Sequence, residues 1–330
     1  MAGDILFLAH RVPFPPDRGD KIRSHHILQA LAGLARVHVG CLAESEADAA
    51  HEAALAAIAA SHWMPPRARP LPLAGVEALL TGRPVSLAAF ADASLKAWVA
   101  RTVATRPITA IYVYSGQMGQ FVPADWRGRL IVDLVDVDSA KFEAYAQRLG
   151  PLRGFIHARE GRLLRKVEAA LAARATHTVL VSAEEAALLR ARVGAVGDIR
   201  ALGNGIDCAR FDPKPVEPEP QLARTSGPHL VFTGQMDYPP NVAAVKRCAR
   251  DILPAIRQRH PDARFHIVGR APTPAVRKLA AMAGVTVWGA VADMRPFLAA
   301  ADMVIAPLTI ARGVQNKVLE AMAMARPVLA

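Results

Sequence analysis

One stretch decides the fold: Arg312 to Met324, RGVQNKVLEAMAM, followed by ARPVLA over residues 325–330. Gly313 is flexible, and the run after it contains no helix breaker. The apolar residues of this run fall on one face at helical spacing: Val318, Leu319, Met322 and Ala323. The helix is predicted to end before Pro327, because the residue ahead of a proline avoids helical backbone angles. The pattern predicts an amphipathic helix that leads into one more strand.

The first turns of this helix carry polar side chains. A start near Val314 or Gln315 places Gln315, Asn316 and Lys317 in those turns, with Glu320 one turn further on. Free backbone N–H groups, the positive end of the helix dipole and a lysine together favour a phosphate anion. The carboxylate of Glu320 can accept hydrogen bonds from sugar hydroxyls. The combination indicates a nucleotide with its ribose, and the alternative is an amphipathic helix with an exposed polar face.

Short apolar strands alternate with helices outward from this stretch. In the first half the predicted strands are 5–9, 37–42, 110–114, 130–134 and 178–182. Helices are predicted from Ile22, over 45–60, over 141–175 and over 183–192. In the second half the predicted strands are 230–234, 264–269, 285–288 and 303–307, with helices over 243–259, 276–283 and 294–300. This alternation is typical of parallel sheets covered on both faces.

The alternation stops once, at residues 202–207, and residues 212–228 then hold five prolines and few hydrophobic side chains. The predicted fold is α/β, with two doubly wound, Rossmann-like domains facing each other across a cleft. We predict an N-terminal domain over 1–205, a linker over 206–228 and a C-terminal domain over 229–330. Because the chain stops inside its last predicted strand, we expect the C-terminal domain to be incomplete.

Composition limits the function classes. Hydrophobic residues make up 52% of the 330, yet no apolar run approaches the length of a membrane span. The N-terminal stretch MAGDILFLAHRVPFP lacks a basic flank and is predicted to be a buried strand, not a signal peptide. The three cysteines are far apart in no metal-ligand spacing, so reduced thiols and a cytoplasmic location are predicted. A net charge of +11 with only 5% aromatic residues favours phosphorylated small molecules or an anionic membrane over nucleic acid.

Several stretches resemble one family, the family 4 glycosyltransferases of the GT-B fold, a retaining group related to glycogen synthases. They are the turn at Gly19-Asp20, VLVSAEEAALL at 179–189, GNGID at 203–207, VFTGQMDYPPNVAAV at 231–245, RFHIVG at 264–269, VTVWGAVADMRPFLAAADMVIAPL at 285–308 and NKVLEAMAMARPVLA at 316–330. The phrases HRVPFPPDRGDKIR at 10–23 and LVDVDSAKFEAYA at 134–146 resemble the sugar transferases of exosortase-linked (PEP-CTERM) exopolysaccharide systems.

The resemblance implies transfer of a sugar from a nucleotide-diphosphate donor to a glycan or lipid-linked acceptor, with the anomeric configuration kept and no metal cofactor. Glu320 matches the family's second glutamate, which holds the ribose hydroxyls, and Lys317 matches a frequent lysine. Arg312 stands where the family has its first glutamate. The Arg/Lys pair of many members is also missing, since Met236-Asp237-Tyr238 occupies that place. Neutralising the phosphates therefore falls to Lys317, backbone N–H groups and Arg312.

Two further sets of residues complete the predicted site. The donor set contains Gly234 and Gly269, which end strands where a side chain would block base or phosphate, together with Gly313, Val314, Gln315 and Asn316. The acceptor set contains the helix start at Gly19, Asp20 and Arg23, and the strand ends at Ser115, Asp136 and Asp138. The helix-start residues could instead be ordinary capping and first-turn charges. Asp136 and Asp138 could instead be a DxD metal site, although the two-domain architecture argues against it.

Some alternatives stay open. A basic region could attract anionic lipid, which suits a lipid-linked acceptor and peripheral contact with the inner membrane: Arg148, Arg153, Arg159, Arg162, Arg165 and Lys166. It could also be a solvated face with Glu160 and Glu168 as partners. The functional alternatives are a non-catalytic nucleotide-sugar-binding scaffold subunit and a nucleotide-sugar epimerase. The absence of a Gly-x-Gly-x-x-Gly fingerprint and of a P-loop lysine argues against dinucleotide oxidoreductases and NTPases.

Overall fold

The computed structural model describes residues 3–16, 18–194, 196–309 and 315–330. The chain divides into two compact units, Met1–Gly203 and Asn204–Ala330. Each unit carries its own sheet, and the strand pairs of the described residues all run parallel. The prediction of an α/β fold with two parallel sheets is therefore confirmed.

The N-terminal unit contains, within its described residues, a seven-stranded sheet of order β3-β2-β1-β4-β5-β6-β7. The strands are β1 Asp4–Ala9, β2 Val37–Cys41, β3 Ser61–Trp63, β4 Ile108–Tyr114, β5 Arg129–Val135, β6 His177–Leu180 and β7 Ile199–Ala201. Successive side chains of β1 point to opposite faces, so Leu6 and Leu8 pack in one buried cluster and Phe7 and Ala9 in another. Both faces of the sheet are covered, as the apolar strands require.

Helices cover these two faces. They are α1 Gly19–Ala32, α2 Glu46–Ala49, α3 Glu52–Ala56, α4 Leu71–Thr81, α5 Val85–Ala89, α6 Ala93–Thr105, α7 Asp138–Ala146, α8 Pro151–Arg174 and α9 Ala183–Val193, with a 3-10 helix at Gly116–Phe121. The single helix predicted over 141–175 is wrong: Gly150 is extended and Pro151 starts a new helix, which separates α7 from α8. The helix predicted over 45–60 is likewise two short helices, and Ser45 caps the first.

The C-terminal unit has, within its described part, a five-stranded sheet of order β10-β9-β8-β11-β12. The strands are β8 His229–Thr233, β9 Arg264–Val268, β10 Val285–Gly289, β11 Met303–Ile305 and β12 Val328–Leu329. The helices are α10 Pro220–Ala223, α11 Pro239–Arg247, α12 Leu253–Arg257, α13 Pro274–Arg277, α14 Arg295–Ala300 and α15 Asn316–Ala323. A π-helical turn, Cys248–Ile252, joins α11 to α12, and a 3-10 turn, Lys278–Ala281, follows α13.

Part of the predicted linker, 206–228, packs in the C-terminal unit. Phe211 and Leu222 are buried in the cluster that also contains Val231 and Phe297. The backbone N–H of Glu219 donates to the carbonyl oxygen of Pro296 at 2.9 Å. These contacts hold the proline-rich segment against the unit that follows it.

No helix among the described residues combines the length and the apolar character needed to span a bilayer.

Candidate nucleotide site

The strand order of the C-terminal sheet predicts where a ligand would bind. From β8 the chain winds outward through β9 to β10, and then returns to the other side of β8 with β11. In open parallel sheets, ligands bind at the carboxyl ends of the strands where this reversal occurs. Gly234 follows β8 directly, and α15 follows β11 along the chain. Gly234, Gly269 and the start of α15 therefore meet at the reversal point of the sheet.

Two glycines end β8 and β9 at this point. Gly269 has a φ of +156°, and a Cβ atom there would lie 1.6 Å from the carbonyl oxygen of Gly234. Gly234 has a φ of +150°, and its Cβ would lie 2.9 Å from Nδ2 of Asn241 and 3.5 Å from Nζ of Lys317. Both positions need glycine because of backbone conformation and because of space. The missing side chains bring the backbone of the two strand ends close to the Lys317 amine.

Lys317 is a buried cation in the first turn of α15. Its residue is 8% exposed, and its Nζ donates to Oδ1 of Asn241 at 2.8 Å. The same Nζ lies 4.4 Å from the ring centroid of Phe232, whose face attracts positive charge. An amide oxygen and an aromatic ring are neutral partners, so neither cancels the lysine charge. Burial lowers the pKa of Lys317 from 10.5 to about 8, although the charge of Glu320 opposes this shift.

Glu320 lies one turn further along α15 and is also 8% exposed. Burial raises the pKa of its carboxyl, and the charges of Lys317 and Arg210 lower it. Within the described residues no hydrogen-bond donor is placed on this carboxylate. A carboxylate in this position can accept hydrogen bonds from the hydroxyls of a sugar.

Asn241 was not among the residues predicted from the sequence. It lies in the first turn of α11, where its Nδ2 donates to the carbonyl oxygen of Gln235 at 2.9 Å. Its two polar atoms thus connect the loop after β8 to Lys317. The sequence around it, PPNVAAV, indicates only a helix start, and the contact with Lys317 spans 76 positions.

The other predicted donor residues have the following positions. Gln315 precedes α15 in extended conformation, and Asn316 is the first residue of the helix. The side chain of Asn316 accepts a hydrogen bond from Nδ2 of Asn204 at 3.2 Å. Arg312, Gly313 and Val314 lie outside the described residues.

The N-terminal unit has the same reversal point, between β1 and β4. Tyr114 ends β4, and its hydroxyl donates to the backbone oxygen of Asp20 at 2.9 Å. This bond places the Gly19-Asp20 helix start at the carboxyl ends of the central strands. Burial would raise the pKa of Asp20, but a hydrogen bond from His10 and the charges of Arg11 and Arg18 hold it well below its usual range. Asp20 is therefore an ionised carboxylate within a charged network.

Arg23, which was predicted for the acceptor set, is held in a buried ion pair. Its Nε lies 2.9 Å from Oδ2 of Asp133, with both side chains buried, and its Nη1 donates to the backbone oxygen of Leu202 at 2.8 Å. The hydroxyl of Tyr112 donates to the same carboxylate oxygen at 2.9 Å. Arg23 therefore stabilises the unit, because its charge pairs with a buried carboxylate near the carboxyl end of β5.

Ser115, Asp136 and Asp138 follow β4 and β5, as predicted. Ser115 and Val135 have φ values of +75° and +67°, an uncommon conformation that is costly for a β-branched residue. Asp138 pairs with the ammonium of Lys141. Asp136 and Asp138 line a cavity of about 10 Å³ together with Glu168, which leaves room for roughly one water molecule. Among the described residues, no group of three or more His, Cys, Asp or Glu side chains is placed to hold a metal ion.

The basic residues of α8 do not pair with Glu160 and Glu168, the acidic partners proposed from the sequence. The carboxylate of Glu160 accepts hydrogen bonds from the backbone N–H groups of Val85 and Ser86, each at 2.8 Å. Glu168 accepts from the backbone N–H of Ser139 at 2.8 Å. Burial raises the pKa of Glu168 to about 7. Both acids are buried and bind backbone, so the interpretation of a surface paired through Glu160 and Glu168 is wrong.

The C-terminal unit is similar to a known protein family. Residues 227–330 match the family described as Glycosyl transferases group 1. The C-terminal unit therefore carries a glycosyltransferase group 1 domain, which confirms the prediction of a glycosyltransferase enzyme. Among curated proteins, none matches the chain significantly.

Solved structures show the fold of the whole chain. HepE of Anabaena, in complex with UDP and glucose, has 17% identity and a TM-score of 0.66, with 99% of this chain and 80% of that chain covered. Sucrose-phosphate synthase from Thermosynechococcus elongatus has 17% identity and a TM-score of 0.62, with the same coverage. A protein assigned as a UDP-N-acetylglucosamine 2-epimerase, from Listeria monocytogenes, has 13% identity and a TM-score of 0.54, covering 99% of this chain and 79% of its own. At these identities the likeness shows the fold, which is GT-B as predicted.

Proposed function

We propose that this chain is a retaining glycosyltransferase that uses a nucleotide-diphosphate sugar and works on the cytoplasmic side in bacterial exopolysaccharide synthesis. One observation carries the proposal: Lys317 and Glu320 are buried one turn apart in α15, at the reversal point of the domain that matches the group 1 family. The buried amine suits a diphosphate, and the buried carboxylate suits the hydroxyls of a ribose. Membership of family 4 and the PEP-CTERM association belong to the same proposal.

The chemistry assigns a separate role to each group. Breaking the bond between sugar and diphosphate leaves negative charge on the diphosphate, and this charge must be stabilised in the transition state. Protonated Lys317 and the N–H groups at the start of α15 would bind it, and Arg312 would add a second cation. Since these groups carry the charge, the proposal needs no metal ion. Burial makes Lys317 effective, because a charge–charge attraction is stronger away from water.

The donor and the acceptor are assigned to different units. UDP-glucose is the first donor to test, because HepE was crystallised in complex with UDP and glucose. Gly234 and Gly269 would then let the uridine diphosphate approach the backbone. The acceptor, a glycan or a lipid-linked sugar, is assigned to the N-terminal unit, where Asp20, Ser115 and Asp138 lie at the strand ends.

Two alternatives use the same fold. A non-catalytic nucleotide-sugar-binding subunit is suggested by Met236-Asp237-Tyr238, which provides no cation where many family members have two. A nucleotide-sugar epimerase is compatible with the fold, since the structure from Listeria monocytogenes resembles this chain. Activity distinguishes all three: a transferase releases the nucleoside diphosphate and moves the sugar, an epimerase changes the sugar, and a scaffold does neither.

The test incubates the full chain with UDP-, GDP- and ADP-sugars and measures release of the nucleoside diphosphate, with and without sugar acceptors. Proton NMR of the product reads the anomeric configuration, and retention is expected. Glu320→Ala should abolish transfer, whereas Glu184→Ala, on the exposed side of α9, should leave it unchanged. Inversion at the anomeric carbon would contradict the retaining mechanism. If the chain neither bound nor turned over any of these donors, the proposal that it is an enzyme would be contradicted.

A further inference from the structure

Helix α4 is oriented with its large side chains outward. Its buried residues are Ala74 and Ala78, one turn apart. Its large apolar side chains are exposed, with Leu79 at 68% and Leu80 at 83%, joined by Leu71, Leu73 and Val76. A helix that only needed to cover the core would bury its leucines and expose its polar residues. The sequence of α4 therefore provides an apolar surface as well as a packing surface.

The start of α8 has the same property. Phe155 is 68% exposed, and Leu152 and Ile156 are also exposed. Gly154 is the buried residue of this turn, because a Cβ there would lie 2.9 Å from the backbone oxygen of Ala146 in α7. The close contact with α7 is made through glycine, which leaves the large residues on the outside.

Hydrogen bonds join these two helices into one surface of the N-terminal unit. Nη2 of Arg159 donates to the backbone oxygen of Ala78 at 2.8 Å, at the carboxyl end of α4. Phe155 lies one turn before Arg159 on the same side of α8. We define the apolar face as the exposed side chains of both helices: Leu71, Leu73, Val76, Leu79, Leu80, Leu152, Phe155 and Ile156. Exposed apolar side chains in this number, on two helices joined by a hydrogen bond, indicate an interaction site.

Cations border the apolar face. Arg69 and Arg83 flank α4 at its two ends, where both pair with Glu77 of the same helix, and Arg148 and Arg153 flank the start of α8. From Arg148 to Lys166 the sequence has six basic residues and one acid, the buried Glu160. In a symmetric dimer formed through this face, the arginines of the two copies would lie close together and repel each other. An anionic lipid surface would instead pair with Arg148 and Arg153, while the leucines and Phe155 enter the acyl boundary.

We propose that the apolar face binds the surface of an anionic bilayer, with α4 and the start of α8 lying in the interface plane. This inference does not depend on the glycosyl transfer proposal, because it uses residues far in sequence from the nucleotide site and a separate measurement. It does give a physical route by which a lipid-linked acceptor would be reached.

Vesicle flotation tests the proposal. The wild-type chain should float with vesicles of phosphatidylcholine and phosphatidylglycerol, and bind phosphatidylcholine alone much more weakly. The variant L79S/L80S and the variant F155S/I156S should each lose roughly tenfold or more in partition, since each removes two side chains from the acyl boundary. Arg148→Gln with Arg153→Gln should weaken binding to anionic vesicles only, and added salt should reproduce that effect.

The matched control is Leu34→Ser, which replaces a 75% exposed leucine outside the apolar face and should bind as wild type does. Circular dichroism melts and UDP titration should be unchanged in every variant, because the replaced side chains are exposed. Wild-type protein that stays with the buffer, or face variants that float like wild type, would overturn the proposal. The proposal would also be overturned if light scattering showed that wild type is a dimer, that L79S/L80S is a monomer, and that neither binds vesicles.

Discussion

Oδ1 of Asn241 accepts a hydrogen bond from Nζ of Lys317 at 2.8 Å, which connects the first turns of α11 and α15. The bond fixes the amine beside Gly234, because Asn241 is itself tied to the backbone of Gln235. A neutral partner orients the lysine without cancelling its charge. The position of the amine is therefore built into the C-terminal unit, and its charge is left for an anion.

Replacing Lys317 should separate binding from stability. Lys317→Met should weaken UDP binding by roughly tenfold or more, the usual loss when a hydrogen bond to a charged group is removed. The midpoint of thermal unfolding at pH 7 should fall little, because the desolvation cost of the buried ammonium disappears together with its hydrogen bond to Asn241 and its attraction to Glu320. Calorimetric titration and a thermal melt measure the two effects.

The control for this substitution is Lys278→Met, on the exposed 3-10 turn after α13. It should leave both UDP affinity and the unfolding temperature unchanged. Equal UDP affinity in Lys317→Met and wild type would contradict the assignment of Lys317 to the diphosphate.

Nucleotide affinity should depend on pH through the same lysine. Burial lowers the pKa of Lys317 to about 8, so the free protein carries the ammonium below that pH and loses it above. A bound diphosphate favours the ammonium and raises its pKa, so affinity should be constant near pH 7 and fall as pH rises past 8. Titrations from pH 6.5 to about 9.5 test this, and in Lys317→Met the fall should disappear.

The free energy of unfolding should depend on pH in the opposite direction to nucleotide affinity. The folded-state pKa of Lys317 lies below the ordinary lysine value of 10.5, so between about 8 and 10.5 the unfolded chain binds more protons than the folded chain. The contribution of Lys317 to the free energy of unfolding should therefore rise with pH in this window. Denaturant melts of wild type and Lys317→Met should diverge in this direction, and the reverse divergence would contradict the buried-amine geometry.

Adding a single methyl group to a glycine at a strand end should destabilise the C-terminal unit. Gly269→Ala places a Cβ 1.6 Å from the backbone oxygen of Gly234, so β8 and β9 must separate at their carboxyl ends. We expect a loss of about 3 kcal/mol or more in the free energy of unfolding, with UDP binding lost as well. Gly205→Ala, where a Cβ would meet open space, should change stability by less than about 0.5 kcal/mol. Similar melts for the two variants would refute the close approach.

The sequence predicted the main strands and α15 because both are local patterns. Apolar runs between helices identify buried strands, and the polar first turn of a helix before Pro327 places Lys317 and Glu320 on one element. The edge strands β3 and β7 were not predicted, since each has three residues and too few side chains to show an alternation. The break between α7 and α8 was missed although Gly150-Pro151 signals it.

What sequence reasoning could not supply were contacts between distant residues. Asn241 gains its role from Lys317, and Arg23 gains its role from Asp133, 110 positions away. Both residues lie near the starts of helices that follow a strand, and neither contact could be read from the local sequence. In α4 the leucines suggest a core helix, and only the packing of Ala74 and Ala78 shows that they face outward.

The buried pair of Arg23 and Asp133 gives the last prediction. Their side chains meet at 2.9 Å with almost no exposure, and Tyr112 donates to the same oxygen of Asp133. Arg23→Met or Asp133→Leu alone should lower the free energy of unfolding by about 3–5 kcal/mol, because each leaves an uncompensated buried charge or donor. The double variant should lose clearly less than the sum of the two, since neither charge then remains. Arg200→Met, which breaks the exposed pair with Asp198, should leave the denaturant midpoint unchanged. Additive losses in the double variant would contradict the ion pair, because they would show that the two residues act independently.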